Sequence, residues 1–358
     1  MLILLLFFVC AWTSPIHGAF VHERDKHLDS LRFTQNFSAN DPPKLHHSPL
    51  IVEFQVNLRN VLEINELEQT ISLETSIRMF WKDHRISLSK KNVPYLTFNP
   101  EYLKDAFWIP DVFVDEAKDL RSPQYQLRPS SLRVYNDSTL RFSSRVNFDI
   151  KCSMWFHRFP NDVQVCDVKL ESFGYTTNEV IFKWKKSGND VNKNISLPNF
   201  DFFIETNESY NTGSIYSLSY PGVAMKVRLS RKLTYHILQT YIPSIMLVVV
   251  SWFSLFIPIE EIPGRVGMVT MSLVTLMALY TVVRKEVPQV SYISLLDLWM
   301  FSSMSFIVLI LLHYVIISYF LSKHRNKLLP ERINMIGIWG ISFLFLSFCT
   351  IYWGFLIY

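Results

Sequence analysis

Apolar and polar positions alternate with a period of two along the first half of the chain, then give way to four long apolar runs. Val52, Phe54, Val56 and Leu58 alternate with polar neighbours, and so do Ile71, Leu73, Thr75, Ile77 and Met79. That period predicts strands buried on one face and sets Arg78 on the face opposite Ile77 and Met79. Asn136-Asp137 predicts a tight hairpin between strands at Leu132–Tyr135 and Thr139–Val146. Trp108-Ile-Pro110-Asp111 reads as a turn between strands, Ile181–Trp184 as a further strand, and Met225–Leu229 as one leading into the apolar region. A short helix is expected around Lys26–Phe33. Many short strands with turn signals between them, and no long amphipathic helix, predict an all-β sandwich over residues 20–232.

The apolar runs are Leu233–Ile257, Val266–Val283, Leu298–Leu321 and Ile333–Tyr358. They predict a transmembrane domain over 233–358, with helices at about 233–257, 264–284, 296–321 and 333–358. Pro243 predicts a kink in the first helix. Lys323, Arg325, Lys327 and Arg332 place the short 322–332 linker in the cytoplasm, and so place the β domain and the C-terminus outside. The stretch Pro263–Tyr292 stands out. It opens on Pro-Gly-Arg, carries Thr270, Ser272, Thr275 and Thr281, and breaks into Arg284-Lys285-Glu286. An arginine at each mouth suits a helix lining a water-filled path for anions. Taken alone, the stretch also reads as an ordinary span with interfacial arginines.

Composition divides the chain the same way. Most of the charge lies before residue 233, which predicts a soluble half and a membrane half. The net charge of +4 includes no basic run that would call for nucleic acid. Leu2–Val9, followed by small residues within Ser14–Ala19, reads as a secretory signal peptide over 1–19. Four glycosylation sequons start at Asn36, Asn136, Asn194 and Asn207, all before residue 233. Cys10 falls in the leader and Cys349 in an apolar run. The remaining Cys152 and Cys166 predict one disulfide in an oxidising compartment. There is no catalytic triad, metal-ligand cluster or phosphate loop, so neither an enzyme nor a cofactor or metal is expected. The adjacent His46-His47 reads as a loop feature.

These parts, taken together, resemble the Cys-loop receptors, the pentameric ligand-gated ion channels. The motifs are Trp81-Lys-Asp83, Trp108-x-Pro110-Asp111, Cys152–Cys166 with Phe159-Pro160-Asn161-Asp162 between them, Glu171-Ser-Phe-Gly-Tyr-Thr176, Tyr210-Asn-Thr-Gly213, Leu238-Gln-Thr-Tyr-Ile-Pro243 and Val290-Ser-Tyr292. The resemblance implies an immunoglobulin-like extracellular sandwich followed by a four-helix transmembrane bundle. Within the family the chain is similar to the anion branch of glycine, GABA and glutamate-gated chloride channels. Pro263 is present, and Gly264 stands where cation members usually carry glutamate. The resemblance implies a homo- or heteropentamer of related subunits in the plasma membrane, in contact with lipid and conducting chloride. A postsynaptic location is one expectation it carries.

Agonist binds between two subunits in this family. The resemblance places Phe113, Glu171, Phe173, Tyr210 and Thr212 on the principal face and Arg78 and Ser143 on the complementary face. The chemistry suits a small amino-acid-like agonist. Arg78 can grip a carboxylate, Glu171 can pair an ammonium, and Phe113, Phe173 and Tyr210 can box it. Phe159, Pro160, Asp162 and Arg231 are implied to couple binding to opening. A ring of Arg265 side chains is expected at the cytoplasmic mouth, with Arg284 at the other. Helical spacing from Arg265 sets Gly267, Met271, Val274, Ala278 and Thr281 on the pore face, with Met271 and Val274 as a hydrophobic gate. The remaining hydroxyls turn toward neighbouring helices. The chain departs from the family in the segment Ser214–Met225, and its cytoplasmic linker is short. Two further readings remain open: a cation-selective or otherwise-gated member of the family, and a non-binding accessory subunit.

Overall fold

The computed structural model describes residues 29–35, 37–43, 48–89, 93–99, 106–121, 129–186, 190–191, 195–211, 218–285, 287–323 and 328–357. The expected signal peptide, the sequons at Asn36 and Asn194, and Thr212 lie outside them.

The strand-rich half packs two sheets against each other. The larger has β11 (Val180–Trp184), β2 (Leu50–Asn65), β3 (Thr70–Lys82), β9 (Thr139–Lys151), β8 (Ser130–Tyr135) and β5 (Tyr95–Phe98) in that order. β7 (Ala117–Arg121) pairs with β9, and β12 (Asp190–Val191) pairs with β2. The smaller sheet runs β13 (Phe200–Asn211), β14 (Pro221–Arg231), β10 (Val163–Ser172) and β6 (Val112–Asp115). The period-two residues fill the space between. Val52, Phe54, Val56 and Leu58 of the larger sheet and Val168, Leu170, Val227 and Leu229 of the smaller are all buried in one core. The β8–β9 hairpin turns at Asn136-Asp137, which is exposed. Asn207 lies in β13 beside an irregularity between Thr206 and Ser209.

The helix expected around Lys26–Phe33 is not found over its described part. Leu31–Phe33 is instead a strand, β1, paired with β4 (Ile86–Leu88), with Leu31 opposite Leu88. Burying both leucines in a ribbon outweighs the weak local pattern.

Four helices are long and apolar enough to cross a membrane: α1 (Thr234–Phe256), α2 (Ile262–Arg284), α3 (Leu295–Lys323) and α4 (Leu328–Ile357). Pro243 acts differently from the expected kink. It has no N–H to give and its ring crowds the carbonyl four residues back. The helix takes this up by widening into a π turn over Ile237–Tyr241 just before it. α2 begins at Ile262 rather than 264, because Pro263 suits a first turn. α4 begins at Leu328 rather than 333. Pro330 falls in its first turn, where an amide would have no intrahelical partner anyway. Ser294 and Asp297 exchange backbone–side-chain bonds as a capping box that starts α3.

Candidate functional site

On the outer face of the smaller sheet four positions stand in one row. Phe113 of β6 is in register with Glu171 of β10, Glu171 with Gly222 of β14, and Gly222 with Tyr210 of β13. Gly222 has no side chain, so Tyr210 leans over it and donates its hydroxyl to the Glu171 carboxylate. A Cβ on Gly222 would stand 2.8 Å from Tyr210 Cζ. Burial, and then the Glu171 carboxylate, push the Tyr210 phenol far above the ordinary tyrosine range. Phe173 is 80 % exposed and meets Phe113 edge-on, ring centroids 6.0 Å apart.

The loop carrying Phe173 is held from below by Asp111. Ser172 Oγ donates to Asp111 Oδ1 at 2.7 Å and the Gly174 amide to Oδ2 at 2.6 Å. Trp108 Nε1 donates to the Tyr175 hydroxyl at 3.0 Å. The Trp108-x-Pro110-Asp111 motif thus shapes the site without entering it. Sequence reasoning missed Gly222; the Pro221-Gly222 pair was its only signal.

Arg78 and Ser143 lie on the outer face of the larger sheet, directly opposite each other on β3 and β9. The Arg78 guanidinium meets a neutral group, Gln55 Oε1, at 3.4 Å. The two halves of the expected site therefore sit on opposite outer faces of one sandwich, and the core separates them. Within one chain they cannot meet.

At the membrane end, Cys152 and Cys166 are bonded and close the loop between β9 and β10. Closing a loop of this length contributes about 3 kcal/mol in the chain-entropy account. Asp162 in that loop pairs with Arg231, whose Nε lies 2.7 Å from Asp162 Oδ1. Glu66, from the β2–β3 turn, was not foreseen; it takes the other edge of the guanidinium at 2.7 and 2.8 Å. Phe159 and Phe200 each place a ring 4.7 Å from the guanidinium carbon. Burial alone would lower the Arg231 pKa, but the two carboxylates outweigh it and hold it above its ordinary value. Phe159 and Pro160 are buried in the same loop. The loop also grips the α2–α3 connection. Trp155 stacks on Tyr292 at 4.7 Å, and the Phe156 amide donates to the Tyr292 hydroxyl at 2.9 Å. Asn161 Nδ2 reaches the Leu356 carbonyl near the end of α4 at 2.6 Å.

Comparison with known proteins settles the family. Residues 27–233 match the model of the neurotransmitter-gated ion-channel ligand binding domain, and 240–337 that of the transmembrane region. The chain belongs to the neurotransmitter-gated ion-channel family. It is 28 % identical over 316 residues to the gamma-aminobutyric acid receptor subunit rho-3 of Rattus norvegicus, covering 88 % of this chain and 68 % of that one. It is a multi-pass membrane protein and a subunit of a ligand-gated ion channel, not an enzyme. Membership implies transmitter binding and assembly with related subunits.

In this channel subunit α2 buries Arg265, Val269, Ser272, Leu276 and Val283, a stripe at helical spacing. Gly267, Met271, Val274, Ala278 and Thr281 all lie on its exposed side. Ser272 turns inward, and Thr270 and Thr275 bond back to carbonyls of their own helix. Arg265 corrects the expectation of a charged ring. It is 1 % exposed. Its Nε donates to the Ile257 carbonyl at 3.0 Å, Nη1 to Asn334 Oδ1 at 3.1 Å and Nη2 to the Leu255 carbonyl at 3.1 Å, with the Tyr314 ring 5.3 Å away. The sharp turn after α1 offers carbonyls that solvent would otherwise satisfy, and the guanidinium fork takes them. Arg284, at the other end, gives Nη1 to Asp297 Oδ2 at 3.2 Å. Asp297 is itself held by Ser294 Oγ at 2.8 Å. Pro263 and Gly264 are exposed at the helix start.

Proposed function

We propose that this chain is a subunit of an agonist-gated anion channel, opened by a small amino-acid-like transmitter at the interface between two subunits. The observation that carries this reading is the split arrangement. A carboxylate ringed by Phe113, Phe173 and Tyr210 occupies one outer face of the sandwich, and an arginine with no carboxylate partner among the described residues occupies the other. Two neighbours in a ring would present these to each other, one end for an ammonium and one for a carboxylate. The rho-3 relative is named as a receptor for such a transmitter.

Chloride selectivity rests on a different argument from the arginine ring first expected. The hydrogen bonds of buried Arg265 all go to neutral groups, so its charge is not cancelled by them. It sits in the first turn of α2, where the helix dipole is also positive. Five such helix starts would hold a positive field at the cytoplasmic mouth, opposed by the exposed Glu260 and Glu261 just before each helix. Met271 and Val274 would form the hydrophobic gate. On this reading the β domain and the C-terminal end face the outside of the plasma membrane.

The test is expression of the chain alone in oocytes with a panel of GABA, glycine, glutamate, histamine, monoamines and acid. Chloride substitution should move the reversal potential. Arg78→Ala should raise the half-maximal agonist concentration and leave the reversal potential unchanged. No current from any agonist, or a reversal potential indifferent to chloride, would count against the reading.

A further inference from the structure

The outer face of the larger sheet carries more positive charge than one carboxylate needs. Arg141 of β9 lies two residues from Ser143 on the same face, directly opposite Arg133 of β8. Paired positions of this kind stand about 4.5–5.5 Å apart and diagonal ones about 7–8 Å, so Arg78, Arg141 and Arg133 form one cluster. Like charges set opposite each other are destabilising. Among the described residues no carboxylate pairs with any of the three. Arg145, further along β9, shows the ordinary solution, because Glu74 takes its guanidinium. Among the described residues Arg133 meets the face of Tyr95, 4.7 Å away, and no carboxylate. The Nε atoms of Arg133 and Arg141 are both buried without a hydrogen-bond partner. Burial pushes the Arg141 guanidinium below its ordinary value, and Arg133 and Arg78 add to the push.

We propose that Arg133 and Arg141 form a second anion subsite beside Arg78, and that the agonist carries two acidic groups rather than one. One carboxylate lies on Arg78 and Ser143. The other takes the guanidinium groups of Arg141 and Arg133, where an anion meets two planar donors. The amino group is left for Glu171 of the neighbouring copy. This inference rests on the interface reading above and narrows its ligand to short amino dicarboxylates.

The experiment uses the full-length chain. It reads both agonist-evoked current and the thermal midpoint of the detergent-solubilised oligomer. The probes are L-glutamate and L-aspartate against GABA and β-alanine. The dicarboxylates should act at lower concentrations than the monocarboxylates. Arg141→Leu should erase about tenfold or more of that preference, the scale of a lost charge-assisted hydrogen bond, while Arg141→Lys should restore part of it. Equal potency of the two classes, or an unchanged preference in Arg141→Leu, overturns the subsite. So does dissociation of the oligomer in Arg141→Leu, which would mean that the guanidinium pairs with a neighbouring subunit. Monocarboxylates acting without a dicarboxylate preference sink this inference alone. Neither class changing current or midpoint sinks the interface reading with it.

Discussion

Tyr210 reaches Glu171 across a glycine. The two residues stand on β13 and β10, and the strand between them offers only Gly222 at that level. A phenol therefore already occupies the carboxylate proposed to receive the transmitter's amino group. Binding must share or displace that hydrogen bond. The same contact ties the end of β13 to the sheet, and so links ligand arrival to the position of that strand end.

Gly222→Ala tests this relationship most directly. Its Cβ would overlap Tyr210 Cζ at 2.8 Å, and the clash is with a ring rather than the end of a flexible chain. Overpacking of this kind costs about 1–3 kcal/mol. Half-maximal agonist concentration should rise about tenfold, with the reversal potential unchanged. A dose curve equal to wild type would show that Tyr210 does not need this place.

The same pair predicts a pH response. The Tyr210 pKa is raised in the folded state. Its hydrogen bond is therefore intact below the ordinary tyrosine pKa of about 10 and is lost only as pH climbs through the raised value. Agonist dose curves taken at about pH 7 and pH 9 should then show no change that Tyr210→Phe removes.

Arg231 is bound by two carboxylates of unequal exposure. The Asp162 side chain is 2 % exposed and that of Glu66 is 20 %. Arg231→Gln leaves Asp162 charged and buried, a loss of about 3–5 kcal/mol. Surface expression and thermal midpoint should fall sharply. Glu66→Gln should cost much less, because Asp162 still answers the guanidinium. The double variant Asp162→Asn with Arg231→Gln should be milder than the sum of its parts. Strict additivity in that cycle would mean that the pair is not coupled.

These contacts show where sequence reasoning reached and where it stopped. Period-two patterning found β2 and β3 because one face of each is buried, and the Asn136-Asp137 turn found β8 and β9; both signals are local. The membrane runs were as plain for the same reason. Asp162 with Arg231 needed the family resemblance, but Glu66 completes the triad from 165 residues before Arg231, with no local signal. Several motifs that marked the family turn out to be scaffold. Asp83 is fully buried and holds Arg85 at 2.9 Å, while Trp81 stacks edge-on against Trp108 at 5.9 Å. Arg265 was expected in an exposed ring from the resemblance, and no sequence signal shows the Leu255 and Ile257 carbonyls that bury it.

Val274 lies on the exposed side of α2, one helical turn beyond Met271. Valine fills a constriction less than a leucine would, so a ring of five should wet more easily. Val274→Leu should reduce current in the absence of agonist. Unchanged unliganded current would remove Val274 from the gate.

The last prediction separates a charge in the pore from a charge behind it. Arg265 Nη1 donates to Asn334 Oδ1, and Asn334 is buried on α4 rather than on α2. Asn334→Asp keeps the shape and the acceptor and adds one negative charge beside the guanidinium. Asn334 Nδ2 also donates to the Leu255 carbonyl at 3.2 Å, so the variant loses that bond and should be somewhat less stable. If Arg265 acts through its field, neutralising it in place should weaken chloride preference although no residue of the permeation path has changed. Reversal potentials in a sodium chloride dilution series should then shift toward the cation side relative to wild type. Asn334→Ser, which removes the amide without adding charge, should not shift them. If Asn334→Asp conducts with unaltered selectivity, Arg265 is a structural clamp for the α1–α2 turn, and selectivity must come from the helix starts at Pro263 and Gly264 alone.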